Sequence, residues 1–97
     1  LPTAFFSDND IIACGSMKAF KEKGLRIPED LSIVGFDDMP FSKIIDPALT
    51  TIKVYKQSMG RLAVKRLIER IEGDCEAFVK AEVNTELVER KSVLKKN

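Results

Sequence analysis

Two adjacent carboxylates, Asp37 and Asp38, close the apolar run Leu31-Ser32-Ile33-Val34-Gly35-Phe36. Two chemistries are open to such residues. Paired acids that flank one bond can hydrolyse it. Neighbours in an extended chain point to opposite faces, so these two do not readily share a substrate bond. The other chemistry is recognition. In open parallel α/β sheets, ligands lie beyond the carboxyl ends of the strands, where an acid accepts hydrogen bonds from hydroxyl groups. One acid would then bind ligand while the other caps or orients a loop. The structural alternative is that both solvate the strand end or cap residues 39–45. Asn9 lies at the matching turn after the earlier apolar run Thr3-Ala4-Phe5-Phe6. An amide and a carboxylate can thus face one crevice. For Asn9 the alternative is helix N-capping, a role open also to Ser7 and Asp8.

Other chemistries lack their residues. The chain has no histidine, which removes His-based metal sites, the Ser-His-Asp triad and the usual neutral base. No glycine-rich phosphate loop of common spacing occurs. No catalytic residue, metal ligand or cofactor is therefore assigned. Cys14 and Cys75 match no metal or redox spacing. They suit a reducing, cytoplasmic setting, with Cys14 as a small buried hydrophobe; a disulfide between them stays open. The net charge is +1, too small to argue for nucleic acid or a membrane. Lys65, Arg66, Arg70, Lys91, Lys95 and Lys96 are interrupted by Glu69, Glu72 and Glu89 without interleaved aromatics. They read as a solvated face. No apolar run approaches the ~20 residues of a membrane span.

The elements that must position these residues follow from patterning. At 97 residues, 44% apolar and 32% charged, the chain suits one small globular domain. Residues 3–6 read as a buried strand and 11–23 as a helix, with Ile12, Ser16, Ala19 and Phe20 on one side. Gly24 caps that helix in the left-handed conformation, with Leu25 folded back. Residues 27–30 turn into the strand 31–36, whose nearly continuous apolarity fits a parallel strand covered on both faces. This is a right-handed βαβ unit, and the fold class is α/β. Residues 39–45 form a short helix, 49–52 a strand and 55–72 the longest helix. The last carries a stripe of Gly60, Ala63, Val64, Leu67, Ile68 and Ile71 and ends at Gly73. Residues 74–76 are a loop, 78–88 one or two edge strands, and 95–97 a frayed end. Phe41, Ile44 and Ile45 are core or an apolar patch for self-association. Strands are few, so partners for the strand 31–36 are expected to be missing or to come from another copy. Leu1-Pro2 runs directly into the first strand, as expected for the middle of a longer protein.

The order of these segments is familiar. Phe6-Ser7-Asp8-Asn9-Asp10, Lys23-Gly24-Leu25, Ile27-Pro28-Glu29-Asp30 and Leu31-Ser32-Ile33-Val34-Gly35-Phe36-Asp37-Asp38 come first. Pro47-Ala48-Leu49-Thr50-Thr51-Ile52, Met59-Gly60 and Thr85-Glu86-Leu87-Val88-Glu89-Arg90-Lys91-Ser92 follow. Over residues 2–93 the chain resembles the LacI/GalR family of bacterial transcriptional regulators, in the C-terminal part of the effector-binding region. The resemblance implies a periplasmic-binding-protein-like fold, Rossmann-like with a parallel sheet and incomplete in this chain. It implies a small effector, commonly a sugar or nucleoside, held between two subdomains, with Asn9 and Asp37 at effector-contacting positions. It implies a homodimer whose contacts include Cys14, Lys18, Phe41, Ile44 and Ile45. Operator DNA would be bound by an N-terminal helix-turn-helix outside these residues.

The chain would cross between subdomains near Lys53 and Leu87. Residues 1–53 and about 88–93 would then belong to the C-terminal subdomain, and 54–87 to the N-terminal one. Where the family often has a glutamine that contacts effector, this chain has Val54. The expected function is that of a cytoplasmic, effector-responsive repressor and not an enzyme, with subdomain closure resetting the spacing of the DNA-binding domains. The alternatives are a periplasmic or membrane-anchored sugar-binding protein of the same fold, and a small α/β enzyme using Asp37 or Asp38.

Overall fold

The computed structural model describes residues 1–73 and 77–96. The 74–76 loop, with Cys75, and Asn97 lie outside the described residues. The elements run β1 (Ala4–Phe6), α1 (Asp10–Glu22), β2 (Ser32–Val34), a 3₁₀ turn (Pro40–Lys43), β3 (Thr51–Val54), α2 (Lys56–Glu72) and β4 (Thr85–Val88). They fall into two compact units, one of Leu1–Val54 with the chain from Glu86 onward, the other Tyr55–Thr85.

In the first unit β1 and β2 pair in parallel, with Ala4 opposite Ser32, Phe5 opposite Ile33 and Phe6 opposite Val34. The other edge of β2 is also occupied from within the chain. Val34 bridges Thr50 and Asp37 bridges Lys53, both in parallel. The Gly35 N–H donates to Thr50 O at 2.9 Å and the Asp37 N–H to Ile52 O at 2.8 Å. Ser92 fills the same edge further back. Its hydroxyl donates to Ile33 O at 2.6 Å and accepts the Thr50 N–H at 2.9 Å, while its carbonyl accepts the Ile33 N–H at 3.0 Å. The expectation that β2 lacks neighbours is therefore corrected. The strand read at 49–52 is itself the neighbour, seated on this edge as β3 with bridges at Thr50 and Lys53, and Ser92 extends the edge where no apolar run marks it. β3 pairs in turn with β4.

After β4 the chain is bonded back to the rest of the first unit, and of the 95–97 end only Lys95 and Lys96 lie among the described residues, both exposed. The Leu94 N–H donates to Ser32 Oγ at 3.0 Å, and Lys96 Nζ to Glu29 O at 3.1 Å.

Helix α1 ends as its glycine dictates. Gly24 takes φ +82°; its N–H donates to Lys21 O at 3.0 Å and the Leu25 N–H to Phe20 O at 3.0 Å. This double closure satisfies the last carbonyls. The inward face differs from the apolar reading. Asp10, Ala13 and Met17 are buried, whereas Ile12 is 49% exposed. The helix is rotated because Asp10, at its first position, is bonded into the sheet. Phe20 still packs inward, its ring 5.3 Å from that of Phe5. The core is Ala13, Met17, Ile27, Leu31, Ile33 and Leu49, with Phe5, Phe20, Leu25 and Ile45 against it.

In the second unit, α2 ends at Gly73, whose φ is +77°. None of its residues is buried, and Met59, Val64, Leu67, Ile68 and Ile71 are exposed. The expected edge strands shrink to β4, because only residues 85–88 find a strand edge among the described residues. Phe78 instead lies under the Arg70 guanidinium, 4.4 Å from the ring centre, a cation–π contact. Among the described residues no helix is long and apolar enough to cross a membrane.

Candidate functional site

The sheet delivers two turns to one place. Asn9 sits at the N-terminus of α1 in an extended conformation, and its Oδ1 accepts the Ile12 N–H at 2.8 Å. The capping alternative is thus realised through Oδ1. The donor end of the amide, Nδ2, takes no part in that bond. The next residue, Asp10, donates its N–H to Phe36 O at 3.1 Å. Asn9 precedes this bond on one chain segment and Asp37 follows it on the other. The bond therefore joins the start of α1 to the end of the β2 segment.

Asp10 is the organising residue that sequence reasoning missed. By type it is as suited to helix capping as Asp8 and Asn9 before it, yet it is fully buried. Its Oδ2 accepts the Met39 N–H at 2.8 Å and the Ser42 hydroxyl at 2.6 Å, and its Oδ1 accepts the Thr51 hydroxyl at 2.6 Å. A carboxylate only accepts, and three donors from the 3₁₀ turn and β3 converge on this one. Burial of a charged group is tolerated when its hydrogen bonds are made. The available signal was position. Asp10 stands three and seven residues before Ala13 and Met17, on the inward helical face.

Asp37 and Asp38 do not extend β2, which ends at Val34. They take φ of +121° and +55°, a left-handed stretch that non-glycine residues rarely adopt. Their side chains have different situations. Asp38 Oδ1 accepts from Arg90 Nη2 at 2.7 Å, with the two side chains 14% and 12% exposed. Arg90 also donates from Nη1 to Leu49 O and from its backbone N–H to Thr50 Oγ1, each at 2.9 Å. The Asp38 N–H reaches Thr51 Oγ1 at 3.4 Å. Asp38 is thus engaged in holding the turn. Asp37 is half-buried, with its N–H committed to Ile52 O. Arg90 escaped sequence reasoning because a basic residue among Glu89 and Lys91 reads as solvated surface.

Of the five candidate contact residues, Cys14, Lys18 and Ile45 line one groove of about 390 Å³ with Met17, Lys21, Glu22 and Asp46. Lys21 Nζ donates to Asp46 O across it. Ile44 is 82% exposed beside this groove in sequence. Phe41 is half-buried, and its carbonyl accepts the N–H groups of Ile44 and Ile45. Cys14 is a free thiol and half-buried, more open than the buried hydrophobe expected, because α1 is turned to put Ala13 and Met17 inward. Among the described residues no three metal-ligating side chains cluster.

Residues 1–93 match the model of the periplasmic binding protein-like domain. The chain is 46% identical over 96 residues to the HTH-type transcriptional repressor PurR of Haemophilus influenzae, covering 96% of this chain and 29% of that protein. It superposes on the lac repressor, solved as a dimer bound to operator and the anti-inducer ONPF. There the TM-score is 0.89 at 38% identity, over 98% of this chain and 33% of that one. A LacI family transcriptional regulator of Enterococcus faecium with bound ribose gives a TM-score of 0.83 at 32% identity, over 94% of this chain and 34% of that one. The chain thus spans about three tenths of the length of the curated relatives it matches. The chain belongs to the periplasmic binding protein-like domain family, in the form that LacI-type transcriptional regulators carry as their effector-binding region.

Proposed function

We propose that the chain is part of a LacI-type transcriptional repressor that binds a small polyhydroxylated effector, a sugar or a nucleoside, at Asn9 and Asp37. One observation carries this reading. The bond from Asp10 N–H to Phe36 O joins the two turns at the carboxyl ends of parallel β1 and β2, where ligands of such sheets bind. A carboxylate accepts two hydrogen bonds from vicinal hydroxyls in a fixed geometry. The ribose bound to the Enterococcus faecium regulator supports that class of ligand. Val54 supplies no polar side chain, so in this reading Asn9 and Asp37 do a larger share of the recognition.

The rest of the reading concerns the longer protein. Residues 1–53 and about 88–93 form the C-terminal subdomain, and 54–87 belong to the N-terminal one. The exposed apolar residues of α2 support its packing on further parts of that subdomain. The groove at Cys14, Lys18 and Ile45, with Phe41 and Ile44 beside it, is the homodimer contact; the lac repressor's dimeric state supports this. The protein is cytoplasmic, has no enzymatic activity and uses no cofactor. Effector binding changes subdomain closure, which resets operator binding by a helix-turn-helix elsewhere in the protein.

The test is calorimetric titration of the full-length protein with pentoses, hexoses and nucleosides. Asp37→Ala weakens binding by about a hundredfold, the loss of two charge-assisted hydrogen bonds. Unchanged affinity removes Asp37 from the site.

A further inference from the structure

Two consecutive non-glycine residues with φ of +121° and +55° do not hold that shape unaided. Such conformations persist where the surroundings over-determine them. At this turn backbone bonds to Ile52 O and Thr51 Oγ1 are joined by one charged side chain, Arg90, on the Asp38 carboxylate. We propose that Arg90 is a positioning residue for the effector site, holding Asp37 in its left-handed conformation through Asp38. The inference rests on the reading of Asp37 given above.

Residue 37 is fixed from both directions. Its own N–H is bonded to Ile52 O at 2.8 Å, and the residue that follows is pinned by the Arg90 guanidinium at 2.7 Å. Arg90 can pin it because it is itself held at three points. Nη2 bonds Asp38, Nη1 bonds Leu49 O, and its backbone N–H bonds Thr50 Oγ1. The planar guanidinium sends two N–H groups to two acceptors at once, which an ammonium on a flexible stem does not reproduce. Both charged side chains are largely withdrawn from water, so salt screens the pair weakly. Without Arg90 the Asp38 carboxylate loses its ion pair, and residues 37 and 38 relax toward ordinary φ. The Asp37 carboxylate then no longer stands where a pair of hydroxyls meets it. Arg90 also stands two residues after the end of β4. The placement of the site acid is thus set by the segment that re-enters the first unit.

The experiment uses full-length protein and the variants Arg90→Met, Arg90→Lys and Asp38→Asn. The first readout needs no ligand: the φ-dependent NMR couplings and Cα/Cβ shifts of residues 37 and 38. Arg90→Met is expected to move both out of the left-handed region, with Arg90→Lys and Asp38→Asn shifting them part of the way. Left-handed φ retained at both residues in the variants overturns the proposal. Should Arg90→Met fail to fold, Asp38→Asn, which keeps the side-chain shape, decides on the same readout.

The second readout is ribose affinity. Arg90→Met weakens it by about tenfold, Arg90→Lys less, and Ser92→Ala leaves it unchanged. Ser92→Ala removes two hydrogen bonds of the same unit without touching this turn. A moved turn with unaltered ribose affinity, in a protein where Asp37→Ala weakens binding by about a hundredfold, overturns the positioning role. If Asp37→Ala itself leaves ribose binding unaltered, the Asp37 reading is what fails, and the couplings still decide whether Arg90 sets the turn.

Discussion

Gly35 leaves the space that Asp10 occupies. A Cβ built on Gly35 collides with Asp10 Oδ1 and lies 2.9 Å from Leu49 Cδ2. The glycine is needed here for close approach, since it allows the buried carboxylate to sit against β2. Overpacking of a filled interior forces neighbours off their rotamers. Gly35→Ala is therefore expected to destabilise the protein by about 3 kcal/mol, read as a lower urea midpoint with an unchanged slope. A midpoint within error of wild type contradicts this fit.

Asp10 itself bears a graded test. Asp10→Ala strips the acceptor from the Ser42 and Thr51 hydroxyls and the Met39 N–H. Leaving three buried donors without it costs about 3–5 kcal/mol. Asp10→Asn keeps an oxygen toward Met39 and Ser42 and turns its Nδ2 toward Thr51 Oγ1, which can accept. Its cost is about 1–2 kcal/mol. Equal losses for the two variants in chemical unfolding would mean that the hydrogen-bond count is not what makes Asp10 matter.

The pair also marks where sequence reasoning succeeds and where it stops. The βαβ unit was legible because its signals are local: an apolar run, capping residues at 7–9, and a left-handed glycine at 24. The 3₁₀ turn was legible as a short helix ahead of Asp46-Pro47, and α2 from its spacing and Gly73. The polar interior was not. Asp10, Ser42, Thr51 and Ser92 are fully buried, yet each is of a type that ordinarily faces water. Their burial comes from partners 32 to 59 residues away in sequence, and no local period encodes that. The rotation of α1 was misread for the same reason, because the residue fixing it is an acid. At the candidate site, the positions of Asn9 after β1 and of Asp37 after β2 were legible from the strand pattern. The ion pair of Asp38 was not, since its partner Arg90 lies 52 residues beyond it.

Self-association can be tested at Ile44, which is 82% exposed beside the groove at Cys14, Lys18 and Ile45. In the proposed homodimer this open apolar side chain lies at the symmetric contact, where its burial is favourable. Ile44→Asp places a charge there, repeated by symmetry on the partner, at no cost to the core. Sedimentation of the full-length protein is expected to shift from dimer to monomer, with the far-UV circular dichroism of the folded chain unaltered and any loss of thermal stability limited to that of association. A variant that remains dimeric at micromolar concentration places the contact elsewhere.

Acid stability reports on the turn before β2. The Arg26 guanidinium and its backbone N–H hold the Asp30 carboxyl below its usual value of 3.8, with Arg26 Nε and Nη2 each 3.1 Å from a carboxylate oxygen. At acid pH the unfolded chain then binds this proton more readily than the folded one, so stability rises with pH through that range. The contribution is complete above the unfolded value of 3.8 and is lost as pH falls through the lower, folded value. Asp30→Asn removes it. The urea midpoints of wild type and variant are expected to differ by a constant amount above about pH 5 and to converge below 3.8. The pair is exposed to solvent, with the Arg26 side chain 70% accessible, so the difference is small and shrinks further in high salt. A gap that widens on acidification reverses the sign and excludes this pair as its source.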